Sequence, residues 1–225
     1  QICFQAKEVF GVYDLFYTRF RLFRQIYQHR ATKAIEFMLT DALVAADKAW
    51  GGRLSSSIDN PREYRRLTDW VIKEIEQSRE PEMAEARDLV LRIRRRQLYR
   101  FVDEFIVDPE VTGRIPPVEA HHISSLNHRD DVELLPGDII VHDMNLSYGK
   151  KHLNPVDFTQ FYREADSETS FPIERSKVSY LLPTFFSERV IRVYTRSNAL
   201  EKIKAAQLAF RAFLRQFKNS VSLTP

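Results

Sequence analysis

The stretch KEVFGVYDLFYTRFRLFRQIYQHR, residues 7–30, decides how the chain is read. Val9, Tyr13, Phe16, Phe20, Phe23 and Tyr27 follow one another at intervals of 4, 3, 4, 3 and 4, which places them on one face of a helix. Arg19, Arg21, Arg24 and Arg30 are interleaved with these aromatics.

Downstream the helical pattern continues from Lys33 to Trp50 through Ile35, Met38, Leu39, Ala42, Leu43 and Ala46. GGRLSSS (51–57) reads as a turn or short extended segment. Asn60 before Pro61 reads as an N-cap with proline in the first helical position, opening a helix through Leu67, Trp70, Val71 and Ile75. A further helix starts near Pro81 and runs through Ala86, Leu89 and Ile93 into RIRRRQLYRFV. Residues 103–137 read as a mixed surface connector holding one short helix. Strand-like runs follow at 138–144, 158–163 and 189–195, separated by turn signals, and a last helix spans 199–217. The expected fold is α+β, mainly α. A helical part (1–102) and a connector (103–137) precede a small antiparallel-sheet lobe (138–225) with a closing helix.

Composition narrows the function. Hydrophobic residues make up 44% and charged residues 29%, a globular balance. No run reaches the ~18 apolar residues of a membrane span. The first residues lack a signal peptide's apolar core, so no membrane partner is expected. Cys3 is the single cysteine, which excludes an internal disulfide and a CxxC metal site and suits a reducing compartment, nucleus or cytoplasm. Neither common Gly-rich phosphate loop occurs. The net charge of +3 implies no ligand by itself; where the basic residues cluster matters more.

Three groups of residues bear on chemistry. His142–Asp143 resembles half of a metal site, but neighbours on a strand point to opposite faces, so a surface His and a loop-proximal Asp are expected. His121–His122 has no partner at ligand spacing and reads as a solvated loop. Arg92, Arg94, Arg95, Arg96 and Arg100 fall close together; on a helix Arg92, Arg96 and Arg100 would stack at i, i+4 and i+8 with Tyr99 alongside. That stack is either a solvated charged face or a phosphate site, since a bridging anion relieves the mutual repulsion. In the opening helix Arg19, Tyr27 and Gln28 offer a cation, an aromatic face and an amide, the three things a nucleotide needs. The alternative is a helix with core aromatics and solvated arginines.

KEVFGVYDLFYTRFRLFRQIYQHRATKAIEFMLTDAL resembles the C-terminal part of the catalytic HD core of the SAM-and-HD-domain deoxynucleoside triphosphate triphosphohydrolases. The resemblance recurs in order at LTDWVIKEI (67–75), RRQLYRFV (95–102), NLSYG…NPVDF (145–158) and VSYLLPTFFSERVIRVY (178–194). It implies that residues 1–102 are the C-terminal helical part of an HD-type phosphohydrolase core. It implies an enzyme that hydrolyses a dNTP to deoxynucleoside and triphosphate with a divalent metal. Arg19 would hold the substrate triphosphate, Tyr27 would pack on the deoxyribose, and Gln28 would contact the sugar or base edge. Arg96 and Arg100 would belong to a GTP/dGTP effector site, and Lys7, His29 and Arg196 to an adjoining dNTP effector site. Effectors would bind between subunits and drive assembly of a homo-oligomer, dimer or tetramer. The family's metal ligands lie upstream of this segment, so no metal or catalytic residue is expected in it, and the start at Gln1 is expected to fall inside a longer protein. Phe23 stands where the family has a His, and Gln5, Gly11 and Gln25 where it has Arg, Asn and Arg. Thr224–Pro225 is a minimal proline-directed phosphosite pattern. A different reading, a regulatory module that binds nucleotide or single-stranded nucleic acid without hydrolysis, rests on the arginines alone.

Overall fold

A computed structural model describes residues 2–164 and 168–222; Gln1 and Thr224–Pro225 lie outside the described residues. A short strand β1 (Cys3–Gln5), not expected from the sequence, precedes α1 (Val9–Leu22). The helix does not continue through Tyr27. Phe23–Tyr27 forms a π turn closed by a bond from the Gln28 N–H to the Phe23 carbonyl at 2.8 Å. The wider turn rotates the side chains that follow it out of phase. Val9 and Tyr13 of α1 are buried and Phe16 and Phe20 half-buried, whereas Phe23 and Tyr27, at the two ends of the turn, leave the core for solvent.

Helix α2 (Arg30–Ala49) is capped by His29, whose Nδ1 accepts from the Ala31 N–H at 3.3 Å. Its buried line of Ala34, Met38, Ala42 and Ala46 is mostly small, so the later helix carrying Ala86, Leu89 and Val90 packs closely against it. Gly52 (φ +87°) ends the α2 region. Residues 53–59 are then helical rather than extended: the Asp47 carboxylate accepts from the Leu54 and Ser55 N–H groups and starts α3 (Arg53–Ser56), and a 3-10 turn Ser57–Asp59 follows. Asn60 does cap α4 (Pro61–Tyr64), accepting from the Arg62 and Glu63 N–H groups. That helix stops after about one turn, and α5 (Trp70–Gln77) starts anew. A 3-10 turn at Pro81–Met83 leads into α6 (Ala84–Arg94).

The arginine-rich segment departs most from expectation. Helix α6 ends at Arg94; Arg96 adopts φ +60° and the Gln97 N–H bonds back to the Arg92 carbonyl at 2.9 Å. This is a left-handed helix stop, usually made by glycine. Strand β2 (Arg100–Val107) begins directly afterwards. Arg92, Arg96 and Arg100 thus occupy a helix, a turn and a strand, and the predicted i, i+4, i+8 stack does not form.

Strand β2 runs through the 102/103 position and pairs with β5 (Ser187–Thr195), which also pairs with β3 (Ile139–Ser147), giving an antiparallel order β2-β5-β3. The short helix α7 (Ala120–Ser124) lies between β2 and β3. Strand β4 (Gln160–Tyr162) pairs in parallel with β1. Central strand β5 is covered on both faces. Ile191 and Val193 share a core with Ala205, Ala206, Ala209 and Phe210 of the closing helix α8 (Leu200–Ser222), and Tyr194 joins the core of α2 and α6. The expected α+β, mainly helical class and its closing helix are present. Among the described residues no helix is long and apolar enough to cross a membrane.

Candidate functional site

The π turn brings Arg19, Tyr27, Gln28 and His29 to the junction of α1 and α2. Arg19 Nη1 donates to the Ser147 carbonyl at 3.3 Å, and its guanidinium lies 5.5 Å from the centre of the Phe23 ring. The Phe23 and Tyr27 rings are 5.6 Å apart. Phe23 is thus the surface on which Arg19 and Tyr27 meet. Tyr27 is 59% exposed. The Gln28 carbonyl accepts from Arg192 Nη1, while its side-chain Oε1 is buried without a hydrogen-bond partner among the described residues. Arg192, itself buried, also donates Nε to Glu104 at 2.6 Å and so ties the junction to strand β2.

Arg96 and Arg100 line a cleft of about 300 Å³ with Arg30, Tyr99 and Phe101. An adjoining cleft of about 350 Å³ holds His29, Arg24 and Arg192 and shares Arg30 and Phe101 with the first. Arg30, whose guanidinium sits 5.5 Å from the Phe101 ring, joins the two. Sequence reasoning gave Arg30 and Arg192 no role; Arg30 directly follows His29 and was within reach, whereas Arg192 is brought in only by strand pairing.

Lys7 is exposed on the 3-10 turn Ala6–Glu8 and lines neither cleft. Arg196 faces a third cavity of about 510 Å³, lined also by Asp41, Arg92 and Tyr99. Its Nε donates to Asp41 at 2.8 Å and its Nη1 to the Gly137 carbonyl at 2.9 Å. Tyr99 also donates to Asp41, at 2.8 Å. Burial raises the Asp41 carboxyl, but the Arg196 and Tyr99 bonds outweigh it and hold the group below its ordinary value. Burial first, and then the Asp41 carboxylate, push the Tyr99 phenol well above its own. One chain therefore places Arg19 and Tyr27 on either side of Phe23, and His29 in the cleft next to that of Arg96 and Arg100, but turns the Gln28 Oε1 inward and does not gather Lys7, His29 and Arg196.

His142 and Asp143 do point to opposite faces, but neither is a surface or loop group. His142 packs edge-on against Phe37 with ring centres 5.5 Å apart. Asp143 accepts from Arg189 Nε at 2.7 Å and from the Val118 N–H at 3.2 Å. His121 and His122 lie on α7 rather than in a loop, and His122 Nδ1 accepts from the Glu119 N–H. No cluster of three or more His, Cys, Asp or Glu able to hold a metal occurs among the described residues. The implied divalent metal thus finds no fitting ligand set among them.

Burial, helped by Lys33 and Arg192, lowers the His142 imidazole from 6.5 to about 4. A base whose folded pKa is depressed takes up its proton more readily when unfolded. Stability should therefore be complete above pH 6.5 and decline between pH 6.5 and about 4. Urea midpoints measured across this range should show the decline, and His142→Phe should remove it.

No family model matches the chain. It is 38% identical over 220 residues to a protein of Dictyostelium discoideum named deoxynucleoside triphosphate triphosphohydrolase SAMHD1 homolog, covering 98% of this chain and 41% of that protein. It is 38% identical over 224 residues to deoxynucleoside triphosphate triphosphohydrolase SAMHD1 of Gallus gallus, covering 93% and 36%. It is 34% identical over 227 residues to the protein of that name of Homo sapiens, covering 93% and 36%. The chain spans about two fifths or less of the length of these curated relatives. It is a homologue of the C-terminal part of deoxynucleoside triphosphate triphosphohydrolases, as its motifs indicated.

Proposed function

We propose that the chain is a C-terminal segment of a dNTP triphosphohydrolase, converting dNTP and water to deoxynucleoside and triphosphate, and that it carries part of the substrate pocket and the nucleotide effector surface. Arg19, Tyr27 and Gln28 contact the substrate. Arg96 and Arg100 receive GTP or dGTP, and Lys7, His29 and Arg196 a dNTP effector. The observation that carries this reading is the pair of joined clefts. Arg30, Arg96 and Arg100 face them, and none has a carboxylate partner among the described residues. In the first cleft the rings of Tyr99 and Phe101 beside unpaired guanidinium groups suit a nucleotide polyphosphate, while Asp103 and Glu104 line the second with Arg24 and Arg192, which are paired with carboxylates.

Lys7 and Arg196 stand apart from His29 within one chain, so the dNTP effector site is completed between copies, and the effector couples to assembly of a dimer or tetramer. The divalent metal is held by residues other than those described. The protein acts in the nucleus or cytoplasm. Single-stranded nucleic acid would meet the same exposed arginines and compete with dGTP for them. With dGTP and a divalent cation, this chain alone is expected to release no triphosphate above a metal-free control. Release above that control would place catalysis among the described residues and overturn the assignment.

A further inference from the structure

Arg19 does not reach its position by helix geometry alone. It is exposed on the last turn of α1, where a free arginine samples many rotamers. Its guanidinium is laid against the backbone of the turn that follows β3. Nη1 donates to the Ser147 carbonyl at 3.3 Å. Two residues on, Gly149 has φ +120°, and a Cβ built there would lie 3.6 Å from Arg19 Nη1, 3.7 Å from Cζ and 3.8 Å from Nε. The turn is held from behind. The Tyr148 N–H donates to the Phe186 carbonyl at 3.0 Å, the Tyr148 ring stacks on Phe20 at 5.3 Å, and the Gly149 N–H donates to Ser147 Oγ at 3.3 Å.

We infer that Gly149 is a positioning residue for Arg19: the Ser147–Gly149 backbone is a fixed cradle that occupies one guanidinium edge and aims the remaining N–H donors at the substrate triphosphate. This rests on the reading that Arg19 holds that group. A φ of +120° is open to glycine and strained for other residues. Any side chain at 149 therefore shifts the Ser147 carbonyl relative to the guanidinium, although the space beside it would admit a methyl group.

The probe is inorganic tripolyphosphate titrated into the intact chain by calorimetry. Arg19→Ala should weaken binding about tenfold or more, the effect of removing a charge-assisted anion contact. Gly149→Ala should weaken it about threefold or more, and should add nothing in an Arg19→Ala background, because its effect passes through Arg19. Gly51→Ala is the control. Gly51 also has positive φ (+65°) but nothing within 4 Å, so the variant tests whether a positive-φ substitution away from Arg19 lowers binding by itself, and it should leave binding unchanged. If the parent does not bind, or Arg19→Ala binds as the parent does, the triphosphate reading of Arg19 fails and the inference with it. If Arg19→Ala weakens binding but Gly149→Ala does not, the positioning role alone is overturned. The same holds if Gly149→Ala weakens binding equally in the Arg19→Ala background, or if Gly51→Ala has the same effect.

Discussion

Arg189→Met is expected to destabilise the fold by about 2–4 kcal/mol, below the full cost of an unpaired buried charge because Asp143, the carboxylate left behind, is only partly buried. Arg189 is 7% exposed. Its Nε donates to Asp143 at 2.7 Å, its Nη1 to the Ile115 carbonyl at 2.7 Å, and its Nη2 to the Pro116 carbonyl at 2.8 Å. One side chain thus pins the 112–118 segment to the central strand. Removing it leaves a carboxylate with the Val118 N–H and strips the Thr112, Ile115 and Pro116 carbonyls of this donor. Denaturant unfolding should show a lower midpoint with an unchanged slope. Arg189→Met/Asp143→Leu should recover much of the loss, because no unpaired charge remains. Acid behaviour carries the same signature. Burial raises the Asp143 carboxyl, but the Arg189 bonds and the Val118 N–H outweigh it and hold the group below its ordinary value of 3.8. Its contribution is present above pH 3.8 and is lost as the pH falls through the depressed folded value. Arg189→Met should flatten that acid limb. A loss under about 1 kcal/mol, ordinary for a net hydrogen bond, would show that this cluster does not hold the segment.

The other large effect concerns ligand. The double variant Arg96→Glu/Arg100→Glu should abolish the stabilisation of the chain by dGTP. A ligand at a hundred times its Kd raises the stability of the state that binds it by about 2.7 kcal/mol. Each arginine offers charge-assisted bonds to phosphate, worth about 1.5–3 kcal/mol apiece, and reversal adds repulsion, so affinity should drop about a hundredfold or more. Both side chains are exposed and lack a carboxylate partner among the described residues, so unliganded stability should shift by no more than about 0.5 kcal/mol. Thermal unfolding with and without dGTP reads both quantities. A dGTP-dependent shift retained in the double variant would move the effector site elsewhere.

The parts of the fold with a strong period were legible in the sequence. The helical run of α2 with Met38, Ala42 and Ala46 on its inner face, the Asn60–Pro61 cap, strands β3 and β5, and the opposed directions of His142 and Asp143 all follow from local pattern. The helix stop at Arg96 was not, because its left-handed residue is an arginine and the usual glycine signal is missing. Strand β2 was hidden for a related reason: a register shift between Phe101 and Asp103 breaks its alternation where it begins. The π turn was equally silent, since the aromatic spacing runs on through Tyr27 while the backbone changes pitch. At the site, Arg19, Tyr27, Gln28, Arg96 and Arg100 were named from residue type and resemblance. Arg192 and Gly149 came from tertiary structure: the first reaches Gln28 across 164 positions, and the second meets Arg19 only through the turn after β3. Conversely, the Asp143–Arg189 pair, with its arginine buried, shows how a motif that looks like half a metal site is consumed by packing.

The most direct test of a nucleotide-binding role is calorimetric titration of dGTP into the intact chain beside Arg96→Glu/Arg100→Glu. Saturable binding by the parent, lost in the double variant and competed by GTP, is the predicted result. No binding by the parent, or equal binding by both proteins, would contradict it.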